Sequence, residues 1–72
     1  MSHYAPTIKA CLSNYPLEDG DERRVEAWMR LRYGTLDGLG FDEFREAALD
    51  GWRAVRRDGR DLSDQLATTY GL

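Results

Sequence analysis

A chain of 72 residues with one cysteine, Cys11, and one histidine, His3, has almost nothing with which to staple itself. A lone cysteine forms no internal disulfide, and a single imidazole falls short of the ligand set of a zinc site. The fold must therefore be held by packing alone. A domain this small buries only about 60% of the surface its unfolded chain exposes, so its stability is expected to be marginal. Apolar surface left over from the core should then seek a protein partner or a second copy of the chain, as a homodimer.

The apolar spacing is helical throughout, and no alternating pattern marks a strand. Tyr4, Ile8, Cys11, Leu12 and Tyr15 form one stripe, with Pro6 suited to a first turn, which predicts a helix over 6–14 with Cys11 as a small core residue. Asp21 is a fitting N-cap for a helix over 22–33, closed by Gly34, whose buried stripe is Val25, Trp28 and Met29 with Tyr33 at its edge. Residues 34–40 carry three glycines and no period, and so connect rather than form an element; Leu36 and Leu39 are expected beneath them. Asp42 caps a third helix reaching about Arg57, with Phe44, Ala47, Ala48, Gly51 and Val55 facing inward. Gly51 in mid-helix costs about 1 kcal/mol relative to Ala, and beside Ala47 and Ala48 it signals the close approach of another backbone. Asp61 opens a short fourth helix over 62–70 with a stripe of Leu62, Leu66 and Tyr70. The expected architecture is all-α: one domain over residues 1–72, a small compact bundle of three main helices plus a short C-terminal helix.

Net charge is −3, but it is zoned: −3 over residues 1–22, +3 over 23–34, −4 over 35–50, +3 over 51–60 and −2 thereafter. Acids open the second and third helices and arginines close them, which complements the helix dipole, and Glu26 precedes Arg30 in the favourable i, i+4 orientation. A structural origin of the zoning therefore outweighs a nucleic-acid patch built from Arg23, Arg24, Arg30, Arg53, Arg56 and Arg57. A helix-turn-helix reading would make the fourth helix the recognition helix, yet it offers Asp61 and Asp64 and no Lys or Arg. Only Gln65 is left there to read bases.

Catalytic chemistry is equally thin. Cys11 sits among apolar neighbours with no base beside it, and Gly38-Leu39-Gly40 has Glu43 where a dinucleotide fingerprint needs its third glycine. An EF-hand register over the same segment puts Tyr33 and Thr35 in ligand positions, so calcium is not expected either. Glu43, Glu46 and Asp50 follow a solvated helical flank, where nothing desolvates a carboxyl for acid-base work. No cofactor, metal or enzymatic activity is expected. No run of about 20 apolar residues could span a bilayer and the N-terminus lacks the layout of a secretory signal. A cytoplasmic protein without a membrane partner is the expectation.

What remains is apolar and cationic surplus. With Phe44 set to zero on the wheel of the third helix, the inner face centres at about 10°, whereas Trp52, Arg45, Arg56 and Leu49 fall at about 80°, 100°, 120° and 140°. These four share a flank rich in the residue types that dominate interface energetics, the competing reading being that the first helix or the 34–41 connection covers Trp52 and Leu49 as ordinary core. Leu31 lies similarly off the stripe of the second helix. The expected function is a non-enzymatic small helical protein that binds another protein: an inhibitor, an adaptor, or a regulator of the phage or mobile-element type that blocks a host protein. Arg45, Leu49, Trp52 and Arg56 are the partner-binding candidates, with the acidic segment 18–22 as the next place to look. The alternative is a small DNA-binding transcriptional regulator.

Overall fold

The computed structural model describes residues 3–72, apart from the side chain of Asp58. It contains four helices and no strand among those residues: α1 (Ala5–Cys11), α2 (Asp21–Tyr33), α3 (Phe41–Asp58) and α4 (Arg60–Thr69). The small all-α bundle expected from the apolar spacing is what forms, and no helix of the described residues is long and apolar enough to cross a membrane.

The core is built by Ile8 and Leu12 from α1 and its trailing turn, Val25 and Met29 from α2, Leu36 from the connection, and Phe44, Ala47, Ala48 and Val55 from α3. Leu39 packs half-buried at its edge, and so does Trp28, which the sequence placed fully inside. Gly51 stands where α2 and α3 meet. A Cβ there would lie 2.9 Å from Val25 Cγ1 and 3.0 Å from the Val25 carbonyl oxygen, so only glycine admits this approach.

The helix starts differ from expectation in one consistent way. Gly20, Gly40 and Gly59, rather than Asp21, Asp42 and Asp61, occupy the N-cap positions. Gly20 and Gly59 have φ of 85° and 86°, a left-handed region that an aspartate enters only with strain. At Gly40 the Glu43 carboxylate accepts the backbone N–H at 3.2 Å, supplying one half of a capping box. At its other end α1 stops at Cys11, three residues short of expectation, because Leu12–Asn14 turn ahead of Pro16.

The larger correction concerns α4. Of its expected stripe, Leu62 and Tyr70 turn outward, 49% and 40% exposed, and Leu66 is only half-buried, while Ser63 and Ala67 face the core. Small residues let α4 lie close, and charges fix where it lies. Arg24 donates to Asp64 at 2.7 Å and to Asp21 at 2.9 Å, Arg23 reaches Asp64 at 2.8 Å, and Arg60 reaches Asp21 at 3.2 Å. The Trp28 indole N–H donates to the Ser63 hydroxyl, which donates in turn to the Gly59 carbonyl. The arginine-rich end of the zoning thus pairs mainly between α2 and α4.

Two acids of α2 are buried, Asp21, expected as a helix cap, and Glu26, expected only as the i, i+4 partner of Arg30. Glu26 is fully buried, pairing through Oε2 with Arg30 at 2.9 Å, while its Oε1 has no hydrogen-bond partner among the described residues. Asp21 is 1% exposed. Burial alone would raise its carboxyl, but the Glu18 N–H and the guanidinium groups of Arg60 and Arg24 outweigh that and hold it below the usual carboxylate range. Asp64 is likewise lowered, first by its hydrogen bond from Arg24.

Carboxyls held low in the folded state contribute stability above their unfolded value, near 3.9, and lose it as pH falls through the folded value. The urea midpoint is therefore expected to fall steeply below about pH 4, and the double variant Asp21→Asn, Asp64→Asn to flatten that fall. Asp21→Ala should destabilise the fold by about 1 to 3 kcal/mol at neutral pH, because it removes the buried carboxylate that accepts from the Glu18 N–H, Arg24 and Arg60, leaving Arg24 only Asp64 and Arg60 only Glu18. Gly51→Ala should destabilise by about 1 to 2 kcal/mol despite the helix propensity it gains. Stabilisation by Gly51→Ala would contradict the close approach of α2 and α3.

Candidate functional site

One flank of α3 gathers the residues that its core face leaves over. Phe41, Arg45, Leu49, Trp52 and Arg56 follow i, i+4, i+8, i+11 and i+15 spacing, which keeps them on one side of a helix for its whole length. The structure brings together the four residues singled out from the sequence and adds two, Phe41 and Tyr15.

Each member is held by a neighbour. The Arg45 guanidinium lies 4.9 Å from the centroid of the Phe41 ring and pairs with Asp42 at 3.0 Å. Arg56 lies 5.1 Å from the Trp52 ring centroid and has no carboxylate within ion-pair distance among the described residues. The Tyr15 ring packs against Trp52 with centroids 4.8 Å apart, and the Trp52 indole N–H donates to the Pro16 carbonyl at 3.1 Å. Leu49 and Trp52 are half-buried: each rests one side on the core and turns the other outward. Phe41 is 72% exposed, the most exposed large apolar side chain described.

Tyr15 belongs here for a physical reason. Since α1 ends at Cys11, the chain turns before residue 15 and carries that ring away from the Ile8 and Leu12 stripe onto Trp52. Between the end of α1 and the α3 flank runs a groove of about 410 Å³, with Ala10, Cys11 and Tyr15 on one wall and Phe41, Arg45 and Leu49 on the other. Cys11, expected in the core, is instead half-buried and lines this groove. Phe41 could have been found in the sequence: it falls at about 60° on the wheel of α3, beside Trp52, once the helix begins two residues earlier.

The chemistry available is adhesive. Stacked arginines and aromatic rings with one face free can bind an apolar anchor and a carboxylate together. Among the described residues no group of three or more His, Cys, Asp or Glu could hold a metal ion. The acidic segment 18–22 is partly consumed by the fold, since Asp21 is buried and Glu18 approaches Arg60 at 3.2 Å. No protein-family model, no curated protein and no solved structure matches this chain.

The two sides of the flank predict different melts. Phe41→Ala and Arg56→Ala should leave stability within about 0.5 kcal/mol of wild type, as exposed side chains do. Trp52→Ala should cost roughly 2 to 3 kcal/mol, because it also releases Tyr15 and the 15–17 turn. Thermal unfolding of the three variants checks this, and an unaffected Trp52→Ala would contradict the packing described.

Proposed function

We propose that this chain is a non-enzymatic protein-binding domain whose partner docks on the α3 flank and the groove beside α1. The observation that carries the reading is the run of Phe41, Arg45, Leu49, Trp52 and Arg56, with both cations stacked over aromatic rings and Phe41 turned into solvent. Trp and Arg in a partly desolvated setting are the commonest sources of large interface energies. A groove backed by Leu49 and Cys11 adds depth for an apolar anchor. In this reading the domain serves as an inhibitor, adaptor or regulator in the cytoplasm, where a lone partly exposed thiol stays reduced.

Two observations weigh against DNA binding as the alternative. A single residue, Gly59, separates α3 from α4, whereas a helix-turn-helix uses a turn of three to four residues. Within α4, Asp64 is paired with Arg23 and Arg24, and Arg60 with Asp21, so the cations nearest a recognition helix are already engaged.

A photo-crosslinking amino acid placed at position 41 tests the reading in the source cell. The expected result is a dominant protein adduct that is lost on Arg56→Ala, while the melt stays unchanged and binding varies little with salt. Adducts with nucleic acid that fade steeply between low and moderate salt would favour the DNA-binding alternative. Adducts indifferent to Arg56→Ala and Leu49→Ala would place the partner elsewhere.

A further inference from the structure

The exposed large apolar side chains fall into two groups. Tyr15 and Phe41 belong to the flank described above; Leu31, Tyr33, Leu62 and Tyr70 lie on α2, on α4 and just after α4. The grooves lined by Leu31, Tyr33 and Leu62 share no residue with the groove lined by Tyr15 and Phe41, so the second group forms a separate face. At its middle Leu31, 52% exposed, stands as a ridge between two grooves that share Trp28 as lining. One groove, about 300 Å³, runs between α2 and α4 over Leu62, Leu66 and Thr69. The other, about 230 Å³, runs between α2 and α3 over Ala47, Gly51 and Ala54.

We infer that this face is a two-fold contact with a second copy of the chain, Leu31 and Leu62 of each copy entering the grooves of the other. An isologous contact requires one patch to carry both the projection and the recess that receives it, and this face does. Its charges are arranged the same way. Arg32, Arg53 and Arg57 line the α2–α3 groove with one acid, Asp50, which pairs with Arg32 at 3.5 Å and Arg53 at 3.4 Å and leaves the groove net basic, whereas Asp61, exposed and with no ion pair among the described residues, stands at the start of α4 beside Leu62. A two-fold axis near Leu31 sets the α4 side of one copy against the α2–α3 side of the other. Asp61 then faces the arginine side of the second copy, where Arg32, though within 3.5 Å of Asp50, keeps its side chain 62% exposed. A chain with so small a core also gains more than a large one by covering this surface. The α3 flank stays open in such a dimer, which would present two partner sites and bind a paired target with avidity.

Analytical ultracentrifugation of the full chain decides the matter. Between about 1 and 100 µM the wild type should shift from the mass of one 8.3 kDa chain toward twice that. Leu31→Asp and Leu62→Arg, both at half-exposed positions and so expected to retain native dichroism, should each raise the dissociation constant at least about tenfold. Asp61→Arg and Arg32→Asp should each weaken association alone, and an equimolar mixture of the two variants should regain it, since opposite charges then face each other at both ends. A monomeric mass throughout would overturn the inference. So would a dimer indifferent to both leucine variants, or a mixture that associates no better than its components.

Discussion

Asp21 is a carboxylate almost wholly removed from water, and it can be buried only if Arg24 and Arg60 are brought to it. Arg24 lies on the same helix and extends the cluster to Asp64, in mid-α4; Arg60 stands at the head of that helix. The electrostatic requirement of one residue thereby fixes where a short helix must lie, even though its leucine stripe is left outside the core. Ser63 and Ala67 then meet α2 because they are small enough for close approach, and the Trp28 indole closes the arrangement through the Ser63 hydroxyl.

Much of the surface chemistry follows from that placement. Seating α4 by charge rather than by its leucines leaves Leu62 and Leu66 outside the core beside Leu31, which creates the face assigned to a second copy. On the other side of the bundle, the early end of α1 turns Tyr15 onto Trp52 and leaves Cys11 on the wall of a groove. The close contact at Gly51 consumes the inner face of α3, so its remaining large residues have only the flank to occupy.

What could be read from the sequence was what periodicity and local charge dictate. The two long helices, the approach at Gly51, and the shared flank of Arg45, Leu49, Trp52 and Arg56 all follow from 3.6-residue spacing. Helix starts were less legible: an aspartate is the better N-cap in isolation, yet glycines took the three positions, two of them where the chain enters the helix with positive φ. The orientation of α4 was hidden because leucine stripes ordinarily mark the buried face, and the ion cluster that overrode them joins residues about 40 positions apart. The burial of Glu26 gave no local signal, since its pairing with Arg30 has the same spacing on a solvated helix as on a buried one.

If the cluster seats α4, then weakening it should loosen that helix and little else. Native-state hydrogen exchange on Asp64→Asn measures this directly: faster exchange is expected across Arg60–Thr69, with α2 and α3 protected as in the wild type, and Leu62→Ala should leave α4 undisturbed. The opposite pattern, in which Leu62→Ala loosens α4 and Asp64→Asn does not, would show that the leucine stripe holds the helix and that the cluster is incidental.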